Sequence, residues 1–167
     1  VILVRKYGYA TVMLVRKHRY ATIFEIIISL YMTNNEVLSR KFNIFQLKTK
    51  IQKFQDNEEQ IEELINKLID KNLLSDERFA ESLIKSKSEA GYGPNYIEQL
   101  LQKNSISKND YDLYSLNIDW HAICKNVAER KIGNKKLNYE DKQKILRFLS
   151  YRGFTYEIIK GSTNLDI

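Results

Sequence analysis

From Ile23 onward, apolar residues return every three or four positions, the spacing that gathers them on one side of an α-helix. The clearest stretch is Ile61, Leu64, Ile65, Leu68 and Ile69, with Glu62, Glu63, Asn66, Lys67 and Asp70 on the opposite side. Trp120, Ile123, Cys124, Val127 and Ala128 repeat the same offsets, which places Cys124 inside the stripe as a small buried hydrophobe. The breaks are as legible as the stripes. Ser75 ahead of Asp76 and Glu77 reads as an N-cap followed by carboxylates that suit the positive end of a helix dipole. Gly91-Tyr92-Gly93-Pro94 reads as a stop and a new start: Gly91 can take the left-handed conformation past a helix end, and Pro94 suits a first helical position because the amide it lacks would be unpaired there. The pattern predicts helices over 23–39, 44–55, 58–71, 76–90, 94–104, 108–115, 119–132, 139–151 and 155–160.

Nine helices in succession group into three triplets. Leu47 and Ile51, Ile97 and Leu101, and Ile145 and Leu149 each end a middle helix, and five residues after the second member comes the turn into a third, at Asp56, Ile106 and Phe154. Single helices of this length are marginal in water, so each triplet must bury its stripes against its own members and its neighbours. The expected organisation is a first three-helix repeat over 23–72, a second over 73–116, a third over 117–162 and a tail over 163–167. Residues 1–22 stand apart. Val1 to Thr11 and Val12 to Thr22 form a direct repeat of period eleven, alike at eight positions, and two copies are too few for a stacked solenoid. Their Val, Ile, Thr and Tyr content allows a hairpin about Gly8, and a helix running into the next segment is the equal rival.

Composition narrows the class. One Pro and six Gly in 167 residues leave little turn punctuation for a sandwich or barrel, so the reading is all-α. The longest mostly apolar run, Ala21 to Met32, is interrupted by Glu25 and falls short of the ~18 residues a membrane span needs. No signal peptide is read at the start, and the expected compartment is the cytoplasm. A lone Cys124 forms no internal disulfide, and with two His residues no zinc site of ordinary ligand count can be assembled from Cys and His, so neither metal nor cofactor is expected. His18 and His121 lack the Ser/His/Asp, Cys/His or H-E-x-x-H company of catalysis, there is no Gly-rich phosphate loop, and the carboxylates all have cap, helix-face or ion-pair explanations. An enzyme is not expected.

The net charge of +6 is unevenly spread: residues 1–60 carry ten Lys and Arg against five Asp and Glu, residues 61–115 seven against ten, and residues 116–167 ten against six. Basic ends around an acidic middle can steer the chain toward nucleic acid or an oppositely charged protein surface. The densest basic set is Arg130, Lys131, Lys135, Lys136, Lys142, Lys144, Arg147 and Arg152. It is either a solvated exterior or a face that meets phosphate or an acidic protein, with affinity falling as salt rises.

Three ordered motifs give these residues a family. Leu73 to Ala80 followed by Gly91-Tyr92-Gly93-Pro94 resembles the central signature of the RecX family, and Arg147-Phe-Leu-Ser-Tyr-Arg-Gly-Phe-Thr155 resembles its C-terminal signature. Between them, Trp120, Ala128 and Arg130-Lys-Ile-Gly133 resemble the opening helix of the family's third repeat, and Leu38 to Asn43 with Leu47, Lys50 and Ile51 resembles the first more weakly. The likeness covers about residues 24–160, and the duplication in 1–22 lies outside it. Where the family usually places Gly before the apolar turn residue, Gly153 keeps the pattern while Gln55 and Ser105 depart from it, and Asp56 stands where an apolar residue is usual, so a looser first repeat is expected.

The resemblance implies three tandem three-helix repeats in an elongated curved array. It implies a non-enzymatic inhibitor that lodges in the groove of the RecA filament on single-stranded DNA, limiting extension or favouring disassembly in recombination, repair and the SOS response. The implied partner is the RecA filament, with single-stranded DNA contacted weakly or indirectly, no membrane, and a monomer. The rival from the residues is a RecA-independent helical DNA-binding protein. Candidate partner contacts are Arg78, Tyr92, Arg130, Lys131, Lys135, Lys136, Arg147 and Arg152; the structural motif residues are Asp76, Glu77, Phe79, Gly91, Gly93, Pro94, Trp120, Phe148, Gly153 and Phe154. Arg78 admits two readings, paired within its own helix or facing the partner, and Tyr92 is either a packing lid or an interface anchor.

Overall fold

The structure, a computed structural model, describes residues 42–53, 57–133, 136–163 and 165. The expected helix over 23–39 and the duplicated segment 1–22 lie outside the described residues. Within the described residues the chain is all-α, with seven α-helices, one short 3-10 turn and no strand. It divides into two compact units, Val1–Leu74 and Ser75–Ile167.

In the first unit, α1 (Ile44–Gln52) and α2 (Glu58–Asp70) start at Asn43 and Asn57, whose side chains accept from the Gln46 and Gln60 amides. These caps satisfy donors that a helix start leaves without a partner. Leu47 and Ile51 pack with Ile61, Ile65, Leu68, Leu73 and Leu74 into one cluster. The predicted stripe of α2 is narrower than its sequence, since Leu64 is half-buried and Ile69 is 40% exposed. Lys48 bridges α1 to α2 through ion pairs with Glu58 at 2.7 Å and with Glu62.

The second unit holds α3 (Asp76–Glu89), α4 (Pro94–Lys103), a 3-10 turn (Lys108–Asp110), α5 (Trp120–Ile132), α6 (Tyr139–Tyr151) and α7 (Tyr156–Ser162). Ser75, Asp119, Asn138 and Thr155 cap α3, α5, α6 and α7. All these helices close over one cluster that includes Phe79, Ile84, Ile97, Leu101, Ile106, Trp120, Cys124, Ile145, Leu149, Phe154 and Ile159. Phe79, Trp120 and Phe154 are buried within it.

The expected helix over 108–115 is corrected to a single 3-10 turn. Local side chains compete with the helical ladder there. Ser107 and Asp110 close a capping box around the turn, the Asp112 carboxylate accepts from the Tyr114 amide at 2.8 Å, and the Ser115 hydroxyl donates to the Asp112 carbonyl at 3.0 Å. The predicted 44–55 also stops early, at Gln52, and residues 54–56, Asp56 and Gln55 among them, are outside the described set.

The five-residue spacing has an atomic cause at two of its three places. In α4 and α6 the helix end is the same device: Ile106 donates to the Leu101 carbonyl at 3.1 Å and Phe154 to the Leu149 carbonyl at 3.2 Å, each just after a residue with positive φ. That residue is Gly153 at φ 88° in one case and Ser105 at φ 59° in the other. A left-handed residue lets the following amide reach back to the last turn, and glycine does so at the least steric cost.

Candidate functional surface

Two of the three motifs that carried the family resemblance meet in space. Gly91, at φ 79°, ends α3 with the Tyr92 amide turned back onto the Lys87 carbonyl at 3.0 Å. The chain then runs extended through Gly93, whose amide donates to the Arg152 carbonyl at 2.8 Å, while the Asn95 amide donates to the Gly153 carbonyl at 3.0 Å. The approach is so close that a Cβ on Gly93 would sit 2.4 Å from the Gly153 carbonyl carbon, and one on Gly153 would sit 2.3 Å from the Tyr96 amide nitrogen. Both glycines are there because two stretches of backbone touch.

Arg152 locks this joint from the side. Its Nη1 donates to the Ala90 carbonyl at 3.1 Å and the Gly91 carbonyl at 3.2 Å, acceptors at the end of α3. Its guanidinium carbon lies 5.0 Å from the Tyr92 ring centre and 5.1 Å from that of Phe148, within cation–π reach of both. Tyr92 stacks in turn on Tyr96 with centroids 4.3 Å apart, and the Lys131 ammonium sits 5.1 Å from the Phe148 ring centre. Lys87 lies 5.9 Å from Tyr92. The result is a ladder, Lys131, Phe148, Arg152, Tyr92, Tyr96, that joins α5, α6, the α3–α4 turn and α4.

The nominated partner residues therefore separate by place. Tyr92 and Arg152 are half-buried members of the joint. Lys131 is at its edge, exposed, next to exposed Arg130 at the end of α5, and Arg147 is exposed on α6 one residue before Phe148. Lys136 is exposed in the connection between α5 and α6, and Lys135 lies outside the described residues. Arg78 is half-buried in the first turn of α3, roughly 14 Å along the axis from Lys87 at about 1.5 Å per residue. Two residues of this cluster were not legible in the sequence, Tyr96 in the ladder and Lys87 beside Tyr92. Lys87 was hidden because it looks like any surface lysine of a helix, and Tyr96 because its stacking partner comes from the preceding turn.

Other chemistry is limited. Cys124 is fully buried, and burial pushes its thiol up while a hydrogen bond with Ser162 pulls the other way. That environment suits an inert thiol. The His121 Nδ1 lies 3.1 Å from the Ser162 hydroxyl, beside a cleft of about 540 Å³ whose rim sets Asp119 and Glu129 against Lys125. Among the described residues no three His, Cys, Asp or Glu side chains converge as a metal site would require. No described helix is long and apolar enough to cross a membrane.

Comparison with known proteins agrees with this geometry. The family description "RecX, second three-helix domain" matches residues 75–112, and "RecX, third three-helix domain" matches residues 119–161. The chain is 34% identical over 139 residues to the regulatory protein RecX of Cronobacter sakazakii, covering 81% of this chain and 84% of that one. It is 36% identical over 105 residues to the regulatory protein RecX of Pseudomonas entomophila, covering 61% and 68%. Among solved structures, the crystal structure of RecX from Lactobacillus salivarius superposes with a TM-score of 0.69 at 25% identity, over 85% of this chain and 92% of that chain.

Proposed function

Because this chain belongs to the RecX family of regulatory proteins, we propose that it restrains the RecA recombinase by contact alone, lodging against the RecA filament on single-stranded DNA and limiting its extension or favouring its disassembly. No bond is made or broken by the protein. The contact surface is the outward cationic set Arg130, Lys131, Lys136 and Arg147, and Tyr92 and Arg152 act behind it by fixing α5 and α6 to the α3–α4 turn. Lys135 joins this set by its place in the sequence, and Arg78 is a separate contact at the start of α3. The protein works as a monomer in the cytoplasm, needs no cofactor, and takes part in recombination, repair and the SOS response.

The observation that supports this reading best is that four exposed cations stand on α5, α6 and the connection between them, with Lys131 at the edge of the joint in which Arg152 ties the end of α6 to the end of α3. A surface held in one arrangement binds with less ordering cost than one that must be assembled on contact. Avidity from several modest contacts then suffices on a repeating filament.

The test is a titration of the purified protein into preformed RecA filaments while ATP hydrolysis is followed. Inhibition by the parent protein is expected, with at least a tenfold loss of potency in the triple variant Arg130→Glu, Lys131→Glu, Arg147→Glu, whose thermal melt stays close to the parent's. A parent protein that leaves RecA turnover untouched defeats the reading, and a fully potent triple variant removes this surface from it.

A further inference from the structure

We propose that the C-terminal half of α6 is a stacking platform for the unpaired bases of single-stranded DNA, with Tyr151 supplying the ring and Arg147 and Lys144 the phosphate contacts. This rests on the reading above, in that it names the DNA strand of the filament as a direct partner of the same surface. The juxtaposition is specific. Lys144, Arg147 and Tyr151 stand at i, i+3 and i+7, which brings all three onto one arc of the helix about 60° wide. All three are exposed, and Tyr151 is 86% exposed, the most open of the large apolar or aromatic side chains in the described residues.

The ring has no internal use. The Arg152 guanidinium is already faced by Phe148 and Tyr92, and Tyr92 stacks on Tyr96. Tyr151 instead projects beside the joint, one turn from Arg147, where no packing requirement explains a large aromatic. Phosphate is the anion its setting fits. Glu140, exposed near the N-terminal end of the same arc, and Asp141, which pairs with Lys144 at 3.7 Å, confine the acidic groups to the first turn of α6. Beyond that turn the exposed charge is positive, and Lys131 adds to it across Phe148.

A duplex fits poorly. Its bases are stacked on each other, and a tyrosine on the outer arc of a helix reaches a base face only where the strand is unpaired. Basic side chains that follow the backbone, combined with an aromatic that takes a base without sequence preference, are the usual elements of single-strand binding.

The experiment measures binding of the full chain to a fluorescein-labelled oligothymidylate, without RecA, by anisotropy between about 50 and 200 mM salt. Tyr151→Ala should weaken binding by roughly five- to a hundredfold, the range for loss of one stacked base, and Tyr151→Phe should restore it, because stacking needs the ring and not the hydroxyl. Arg147→Gln should flatten the slope of log K against log salt by about 0.7, one phosphate contact on a single strand. Tyr114→Ala, which removes a tyrosine that is 71% exposed but lies beside Asp112, should change nothing. Equal binding by Tyr151→Ala and the parent, or tighter binding to a duplex than to the oligothymidylate, overturns the proposal. Inhibition of RecA with no binding to the bare strand also overturns it while leaving the proposed function intact, and binding through Tyr151 with no effect on RecA does the reverse.

Discussion

Replacing Gly93 with alanine isolates what the joint between the two motifs is worth. Gly93 has φ −86° and ψ 171°, an extended geometry open to any residue, so the substitution carries no torsional strain. Away from any neighbour, it would gain about 0.4–1 kcal/mol by stiffening the unfolded chain and lose up to about 1 kcal/mol because alanine is a poorer N-cap than glycine. The two nearly cancel. What remains is contact: the new methyl would lie 2.4 Å from both carbon and oxygen of the Gly153 carbonyl and 2.5 Å from the Phe154 amide nitrogen, all backbone atoms that cannot swing aside. Relief requires the two backbone segments to part, which weakens the bonds from Gly93 to Arg152 and from Asn95 to Gly153. At about 0.5–1.5 kcal/mol each, together with looser packing around buried Ile97 and Phe154, the expected loss is roughly 2–4 kcal/mol. For a unit the size of Ser75–Ile167 this lowers Tm by on the order of 10–20 °C. The sole tryptophan, Trp120, is buried in that unit, so its fluorescence during urea unfolding reports the right transition. A variant within about 0.5 kcal/mol of the parent would refute the close approach.

Two further outcomes follow from single residues. Ser105→Gly should stabilise the second unit by about 0.5–1 kcal/mol, because relief of a left-handed side chain outweighs the added freedom of the unfolded chain; the same tryptophan transition checks it, and a destabilised variant would show that the φ of 59° costs nothing. In the first unit, hydrogen bonds from Lys48 and then from Gln52 hold the Glu58 carboxyl below its ordinary 4.5. A depressed folded value means the contribution is present above the unfolded value and is lost as pH falls through the folded one. Carboxyl NMR titration should find the Glu58 midpoint below 4.5 in the parent and closer to it in Lys48→Gln, and an unmoved midpoint would discount the bridge.

Helices were legible here because caps and stripes agree. Ser75, Asp119 or Thr155 announces a start in the same place where apolar spacing begins, and tertiary packing had no reason to override either. Two of the helix ends were legible because each closes on a buried residue, Leu101 or Leu149 giving its carbonyl to the apolar residue five positions on. Residues 108–115 failed for the opposite reason. Their composition permits a helix, but Asp110 and Asp112 bind nearby amides more readily than they tolerate the helix interior, and a propensity count does not see that competition.

The surface was half legible, and the split has a physical cause. A run of basic residues is visible in one dimension, so Arg130, Lys131 and Arg147 could be named from it. What each cation reaches is a three-dimensional fact: Arg147 on α6 and Arg152 at its C-cap are five residues apart, yet Arg152 donates to the Ala90 and Gly91 carbonyls some 60 residues earlier, while Arg147 donates to the Gln143 carbonyl of its own helix at 3.3 Å and stays exposed. The motifs stand out in the sequence because backbone contact restricts their glycines, and that contact is internal. Residues free to meet a partner are under no such restriction, which is why Tyr151, inside a motif but outside the joint, gives no sign of itself until its exposure is known. The proposed recognition surface is what remains on α5 and α6 after the joint has taken its share, and on that proposal substitutions at the joint should weaken function through stability while substitutions on the exposed arc weaken it at constant stability.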